Sequence, residues 1–289
     1  MATAMRLNVS ADALAALGAE LRAQTEALEV PADVRRLLVA ITDELGCDLD
    51  GLSDDDKRQV ADGIRSYFIQ AAELLDDPAR PPGWVYEEPI VLQSQGGTSV
   101  SVARLICQIA PGLDGLDDRL AQDGATFLDV GIGVGLLAIE VARTFPALRV
   151  VGIDPWRPAL DLARDNIDSA AMGDRIELRE LGVEDLDDDE AFDMVWLAGP
   201  FLPPDVTEPA LDRSLAALRS GGWLVLGAYA GGAEPLAGLL AALRTVRGGG
   251  RVIDASESVE LMTTAGFADV HPIERTWPAP VDFVVGRCP

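Results

Sequence analysis

The sequence predicts an α/β fold in which helices cover both faces of a seven-stranded, mostly parallel sheet. Residues 127–140 begin as an apolar run that ends in an acid, pass through a glycine-rich turn and continue with helical apolar spacing. Further apolar runs alternate with helical patterns, and two β-rich runs close the chain. The connections between successive parallel strands are expected to cross over right-handedly, which places helices on both faces of the sheet. In such folds the ligand crevice lies at the carboxyl ends of the parallel strands.

The strands expected from this pattern can be placed along the chain. The parallel strands are expected near residues 125–130, 149–153, 175–181, 192–198 and 222–229. Two β-rich runs follow at residues 267–276 and 281–286, separated by residues 278–280, which read Pro-Ala-Pro. Proline cannot donate to a strand ladder, so this tripeptide is expected to separate the two runs.

The first 75 residues predict three amphipathic helices. Ser10 and Ser53 are expected N-caps, and Pro31 suits the first turn of a helix that runs through Leu45 and is ended by Gly46. The apolar faces comprise Leu14, Leu17, Leu21 and Leu28 in the first helix, and Val60, Ile64, Phe68 and Leu75 in the third. Such short helices cannot bury their faces alone. We therefore predict a lid or dimerisation region over residues 1–83 and a second domain over residues 84–289.

The glycine-rich turn predicts a close approach to a nucleotide-type cofactor. Gly131, Gly133 and Gly135 allow a sharp turn and leave room for a ligand that a Cβ would exclude. A dinucleotide fingerprint would place its third glycine at the position of Leu136. The observed spacing, with Asp129 before the turn, resembles the class I S-adenosylmethionine (SAM) dependent methyltransferases, which have a Rossmann-like fold.

Four further segments resemble this family in order and spacing. Residues 150–154 end in an acid like the second strand, and residues 155–166 are similar to the second helix. Residues 192–197 resemble the fourth strand, and residues 211–226 the helix, Gly-Gly turn and fifth strand. The resemblance covers about residues 95–289. It implies SAM as cofactor, methyl transfer as the reaction and an antiparallel C-terminal strand pair.

Residue roles follow from the position of each motif. Asp154 is suited to accept hydrogen bonds from the ribose hydroxyls, although it could instead cap the helix that begins near Trp156. Trp156 is expected to pack against the adenine face or to serve as a structural aromatic. Asp129 is expected to fix the glycine turn or the methionine amino group, because a buried acid needs partners.

The chain departs from the family at two positions. Gly182 stands where the resemblance would place an aspartate that contacts the adenine amine. We expect the Val183 N–H to bond the adenine ring and Glu184 to supply the missing acceptor. Residues 198–203, Ala-Gly-Pro-Phe-Leu-Pro, replace the Asn/Asp-Pro-Pro-Tyr signature of amide-type N-methyltransferases. Ala198 is expected beside the cofactor and Phe201 beside the acceptor, while methylation of nucleobase amines and glutamine amides is disfavoured.

A proline-rich linker at residues 76–83 leads into residues 84–99, which are rich in aromatic, amide and hydroxyl groups. The resemblance implies that this segment folds over the cofactor and acceptor, with Tyr86, Gln93 and Gln95 facing the pocket. The equally weighted alternative is that Trp84 and Tyr86 anchor the helical region while Thr98 caps a helix through Ile109.

No catalytic residue can be assigned from the sequence. Holding the nucleophile beside the methyl group can lower the barrier by roughly 7–11 kcal/mol, so positioning alone can drive methyl transfer. The acceptor can therefore be a carboxylate, an amine, a hydroxyl or an acidic carbon. The one histidine, His271, lies in a predicted strand where a structural role is favoured, and Tyr86, Glu87 or Glu88 could act as a base. No grouping of His and carboxylates predicts a metal site.

The composition of the chain limits the kinds of molecule that it is expected to bind. A formal net charge of −25 and a pI near 4.2 would repel a phosphate backbone, so nucleic acid is not an expected partner and a small-molecule substrate is. Cys47, Cys107 and Cys288 form no CxxC pair, and no segment reaches the length of a membrane span. We expect a cytoplasmic protein with reduced thiols that does not enter a membrane, and a homodimer through the N-terminal helices stays open.

Two other classes of function also stay open. A protein with this fold could be a cyclase-like or decarboxylase-like enzyme, since site chemistry and not fold sets function. It could also be a non-catalytic scaffold that keeps the fold with an impaired cofactor site. A nucleotide-dependent oxidoreductase is disfavoured by Leu136.

Overall fold

The computed structural model describes residues 2–231, 235–277 and 281–289. These residues fall into two compact units. The helical unit comprises Met1–Arg80 and Glu88–Gly97, and the sheet unit comprises Pro81–Glu87 and Thr98–Pro289. The functional division predicted at residue 83 stays a prediction.

The helices and strands alternate through most of the sheet unit. The helices are α1 Ala2–Thr25, α2 Ala32–Glu44, α3 Asp54–Asp76, α4 Pro89–Ile109, α5 Leu116–Leu120, α6 Leu136–Thr144, α7 Arg157–Ser169, α8 Thr207–Ala217, α9 Pro235–Arg247 and α10 Ala255–Ala265. The strands are β1 Thr126–Val130, β2 Arg149–Asp154, β3 Ile176–Glu180, β4 Phe192–Ala198, β5 Leu218–Tyr229, β6 Ala268–Pro272 and β7 Val281–Arg287. Among the described helices, none combines the length and the apolar character that crossing a bilayer requires.

In the helical unit, α1 packs against α2 and α3. Its buried apolar centre is formed by Leu21, Ala61 and Ile64. Gly18 permits close packing here, because a Cβ at this position would lie 3.0 Å from Cγ2 of Ile64. The buried Glu20 is paired with Arg35 of α2 at 3.1 Å. The cap predicted for the third helix is confirmed, since the Ser53 hydroxyl accepts the Asp56 N–H.

Several helix boundaries differ from those predicted. Ser10 is not an N-cap, because α1 starts eight residues earlier and the Ser10 hydroxyl donates to the Arg6 carbonyl within the helix. Pro31 is the N-cap residue of α2 and not part of its first turn. Leu28 lies beyond the end of α1 and is exposed, as is Leu75 on α3, so neither belongs to an apolar core.

The predicted cap at Thr98 is also wrong, because α4 begins at Pro89 and continues through this position. The glycine pair at residues 96–97 therefore lies within the helix. In the structure, the Gln59 side chain of α3 donates to the Gly97 carbonyl at 3.2 Å, and a Cβ on Gly97 would lie 3.2 Å from the donating nitrogen. The absence of a side chain on Gly97 therefore leaves room for a neighbouring helix.

The sheet has the strand order β3-β2-β1-β4-β5-β7-β6. The first five strands are parallel: β1 pairs with β2 and β4, β2 also pairs with β3, and β4 also pairs with β5. β7 pairs antiparallel with both β5 and β6. This arrangement confirms the predicted seven-stranded fold. Residues 278–280, predicted to separate the last two strands, lie outside the described residues.

Two hydrophobic cores form because successive side chains of a strand point to opposite faces of the sheet. One core contains Phe127 and Met194 together with residues of α4 to α7, and the other contains Leu128 and Val195 together with residues of α8 and α10. The sheet is therefore covered on both faces. The loops after β1 to β4 meet at one edge, which positions the candidate site.

Candidate functional site

The glycine loop, residues 131–135, follows β1 directly. Gly131, Gly133 and Gly135 have φ values of 74°, 55° and 79°, in the left-handed region that favours glycine. The Gly131 and Ile132 N–H groups both donate to the Ile153 carbonyl, at 2.9 and 3.1 Å, which ties the loop to β2. A Cβ on Gly131 would meet no atom within 4 Å. The loop therefore leaves open the space into which a ligand can approach its backbone.

Asp154, the last residue of β2, holds the glycine loop and the start of α7 together. Oδ2 accepts the Gly133 N–H at 2.9 Å and Oδ1 accepts the Trp156 N–H at 2.8 Å. The carboxyl group is buried, which raises its pKa, while the two backbone donors act in the opposite direction. Since each carboxylate oxygen can accept two hydrogen bonds, Asp154 retains acceptor capacity for ribose hydroxyls.

Asp129 lies one strand away, at the end of β1. Its side chain is only 1% exposed, and Oδ2 has no hydrogen-bond partner among the described residues. Burial, together with the nearby charge of Asp154, raises the pKa of Asp129 to about 8. A buried acid without a partner is costly, so this oxygen is suited to a hydrogen-bond donor or a cation on a ligand.

Two residues that support the loop were not assigned a role from the sequence. Asn166 on α7 donates from its side-chain amide to the Val134 carbonyl at 2.8 Å. Gly152 on β2 lies against Ile132, because a Cβ at this position would fall 2.0 Å from the Ile132 Cδ1. A glycine inside a strand often marks such a close approach, and this was the available signal for Gly152.

Trp156 fixes the segment 81–87 to the sheet unit. Its indole N–H donates to the Tyr86 carbonyl at 2.9 Å, and Tyr86 is buried with its ring edge-on to Trp84 at a centroid separation of 5.4 Å. The Gly83 N–H donates to the Arg247 carbonyl at 2.9 Å. These contacts hold Trp84 and Tyr86 within the sheet unit, and their predicted role in anchoring the helical region stays a prediction. Whether Tyr86 faces an acceptor, and Trp156 an adenine ring, stays a prediction.

The end of β3 shows how the chain differs from the family at Gly182. A Cβ on Gly182 would lie 2.7 Å from Oε2 and 2.9 Å from Oε1 of Glu184. The Glu184 carboxylate thus lies where a side chain at position 182 would project. Val183 is buried and begins a short 3₁₀ turn that ends at Asp185. The roles of Val183 and Glu184 in adenine recognition stay predictions.

The end of β4 leads into a tightly packed turn. Ala198 is the last strand residue, and Phe201, in the 3₁₀ turn that follows, is 53% exposed. A Cβ on Gly250 would lie 1.9 Å from the Pro200 carbonyl oxygen, so the loop after α9 lies directly against this turn. The exposure of Phe201 is compatible with its predicted place beside an acceptor, which is untested.

The remaining candidates are distributed over other elements. Gln93 and Gln95 lie on α4 within the helical unit, and their predicted place in the pocket stays a prediction. His271 lies on the edge strand β6, where it is exposed and its Nδ1 is 2.7 Å from the Asp269 carbonyl oxygen. The described residues hold no group of three or more His, Cys, Asp or Glu side chains able to bind a metal ion.

Comparison with known proteins identifies the domain that carries this site. A family described as "Methyltransferase domain" matches residues 127–222, which include β1, the glycine loop and Asp154. The matched segment is a methyltransferase domain. The open space at Gly131, the unpartnered Oδ2 of Asp129 and the acceptor capacity of Asp154 fit a ligand with ribose hydroxyls and positive charge.

The curated relatives match this chain over only part of their length. A release factor glutamine methyltransferase from Rhodopirellula baltica is 29% identical over 96 residues, which are 32% of this chain and 32% of that protein. The chain matches only about a third to a half of the length of the first curated relatives.

Two solved structures resemble nearly the whole chain in fold. An O-methyltransferase family protein from Burkholderia thailandensis has a TM-score of 0.71 at 16% identity, covering 97% of this chain and 95% of that one. Human N-acetylserotonin methyltransferase in complex with SAM has a TM-score of 0.62 at 18% identity, covering 96% and 94%. At these identities the likeness concerns the fold.

Proposed function

We propose that the protein is an enzyme that transfers the methyl group of SAM to a small-molecule acceptor. The observation that carries this proposal is the left-handed glycine loop between two buried carboxyl groups, Asp129 and Asp154. SAM, when bound, supplies an electrophilic methyl group on a positively charged sulfur. The backbone of the loop and Asp154 bind and orient the cofactor.

The reaction we propose depends on positioning. Placing a nucleophile in line with the methyl group can lower the barrier by roughly 7–11 kcal/mol without a dedicated base. Tyr86, Gln93, Gln95 and Phe201 are the proposed acceptor-facing residues. The acceptor atom is a carboxylate or hydroxyl oxygen, an amine nitrogen or an acidic carbon. No residue is proposed as a catalytic base.

Three observations support a small-molecule acceptor. The net charge of −25 opposes binding to nucleic acid. The Burkholderia thailandensis structure that resembles nearly the whole chain is named an O-methyltransferase, whereas the glutamine methyltransferase relative matches about a third of it. The turn after β4 also lacks the Asn/Asp-Pro-Pro-Tyr signature. We place this activity in cytoplasmic small-molecule or natural-product metabolism, which agrees with three free cysteines.

We also propose that the protein forms a homodimer through its N-terminal helices. On α2 and its C-cap, Val34, Leu37, Ile41 and Leu45 follow one another at helical spacing and are all exposed, Leu37 by 59%. A stripe of this kind is typical of an interaction surface.

Calorimetry tests the proposed cofactor site. SAM is expected to bind with micromolar affinity, and Asp154→Ala is expected to weaken binding by about 1.5–3 kcal/mol, the loss typical of hydrogen bonds to a charged group. Asp161→Ala, which removes an exposed carboxylate on α7, is the matched control and should bind like the parent. Binding of a nicotinamide cofactor without binding of SAM would contradict the proposal.

A methyl-transfer assay tests the reaction itself. Purified protein is incubated with SAM carrying a labelled methyl group and with pools of candidate acceptors. Label is expected in a small molecule, accompanied by release of the demethylated cofactor. Binding of SAM without transfer to any small molecule, protein or RNA would favour the non-methylating alternatives.

A further inference from the structure

The two buried carboxyl groups of the site differ in how they are bonded. Both Asp154 oxygens accept a backbone N–H, from Gly133 and Trp156. Asp129 is more deeply buried, and its Oδ2 has no hydrogen-bond partner among the described residues. A negative charge is therefore better accommodated on Asp154 than on Asp129.

The surroundings of Asp129 contain no compensating positive charge in the adjacent sheet positions. The residues paired with it are Gly152 on β2 and Trp196 on β4, and the glycine loop, residues 131–135, has no ionisable side chain. The nearby carboxylate of Asp154 repels a negative charge on Asp129. Together with burial, this raises the pKa of Asp129 to about 8, so Asp129 is protonated at neutral pH in protein without cofactor.

We propose that cofactor binding is coupled to the loss of one proton from Asp129. The proposal rests on the proposed function, since it concerns the SAM site. SAM carries a sulfonium and an ammonium group, and a cation near a buried carboxyl group stabilises its ionised form. The O–H bond of Asp129 breaks, the electron pair stays on the carboxylate, and the proton passes to the solvent. No other bond forms or breaks.

The sign of the pH dependence follows from this coupling. Below pH 8 a proton must leave before the cation is held by a carboxylate, so the affinity for SAM rises with pH. A single linked proton gives at most a tenfold change for each pH unit. Above pH 8 Asp129 is already ionised, and this contribution levels off.

The experiment is calorimetry of SAM binding at pH 6.0, 6.5 and 7.0, each in two buffers of different ionisation enthalpy. An α-amino group ordinarily titrates near pH 7.7–8.0, so the ammonium group of the ligand is mostly protonated over this range. We expect the parent protein to release close to one proton, with affinity rising up to tenfold per pH unit. Asp129→Asn should release none and bind SAM with an affinity independent of pH. Asp161→Asn, an exposed carboxylate on α7, is the matched control and should behave like the parent.

The outcomes separate this inference from the proposed function. SAM binding without proton release in the parent, or equal release in Asp129→Asn, would overturn the coupling while leaving the cofactor assignment intact. No detectable SAM binding by the parent protein would contradict the proposed function instead. If Asp129→Asn does not fold, infrared difference spectra of the parent give the answer. The carbonyl band of a protonated carboxyl group should disappear on addition of SAM, and its persistence would overturn the proposal.

Discussion

At the scale of single residues, Glu184 occupies the place of a missing side chain. Its carboxylate lies within 2.9 Å of where the Cβ of residue 182 would be, and residue 182 is the position at which many family members have an acid. A carboxylate therefore lies beside position 182 although residue 182 has no side chain. Because Glu184 is exposed, its side chain can move if position 182 is changed.

Exchanging the acid between these positions tests whether Glu184 acts as the acceptor for the adenine amine. Glu184→Ala is expected to weaken SAM binding by about 1–2 kcal/mol, the typical net worth of such a hydrogen bond. Adding Gly182→Asp to that variant should restore most of the loss, since the new carboxylate would project into the same place. Calorimetry of the parent, both single variants and the double variant measures this. Unchanged affinity in Glu184→Ala would show that Glu184 does not contact the cofactor.

The pKa of Asp129 also predicts how stability depends on pH. The folded state holds this proton up to about pH 8, whereas an unfolded aspartate loses it near pH 4. The contribution of this proton to the free energy of unfolding is therefore fully present below about pH 4. It is lost as the pH rises from about 4 to about 8, by at most about 1.4 kcal/mol per pH unit. Asp129→Asn should remove that dependence. Urea unfolding of both proteins at pH 5.5, 6.5 and 7.5 measures it, and parallel profiles would contradict the prediction.

At the scale of elements, the glycine loop depends on how closely β2 approaches it. A Cβ on Gly152 would fall 2.0 Å from Cδ1 and 2.9 Å from Cβ of Ile132. Gly152→Ala would therefore displace Ile132 between Gly131 and Gly133. We expect a loss of about 1–3 kcal/mol of stability and weaker SAM binding.

A second substitution distinguishes displacement of the loop from general damage. Ile132→Ala removes the Cδ1 atom that meets the new methyl group, so the double variant should regain part of the SAM affinity. Thermal unfolding and calorimetry on the same samples give both quantities. Equal losses of affinity in Gly152→Ala with and without Ile132→Ala would contradict this account.

The sequence predicted elements best where one local pattern determines them. Asp129, the three loop glycines and Asp154 could be placed because a strand, a left-handed turn and a strand end are all fixed by short segments. The errors at Ser10 and Thr98 have a different origin. Both residues can cap a helix, but α1 and α4 continue through them, and packing against other helices is not visible in a local pattern. The raised pKa of Asp129 likewise depends on burial and on Asp154, which lies 25 positions away in the chain.

At the scale of the whole molecule, the exposed apolar stripe of α2 predicts the oligomeric state. Leu37→Glu places a charge in the centre of the stripe formed by Val34, Leu37, Ile41 and Leu45, and is expected to weaken the dimer by about 2 kcal/mol or more. Leu75→Glu changes an 82% exposed leucine on α3 outside this stripe and should leave the dimer unchanged. Sedimentation velocity over a range of concentrations measures both. A parent protein that is monomeric throughout would refute the proposed dimer.

The hydrogen bond between Trp156 and Tyr86 gives the protein an intrinsic optical reporter. Trp156 lies two residues after Asp154, so we expect its emission wavelength and quenching to respond to a ligand at the proposed cofactor site. Of the five tryptophans, Trp196 and Trp223 are buried in the sheet core, where a bound cofactor changes their solvent contact little. Occupancy of the site can therefore be followed by fluorescence on unlabelled protein, at concentrations and time resolutions that heat measurements do not reach.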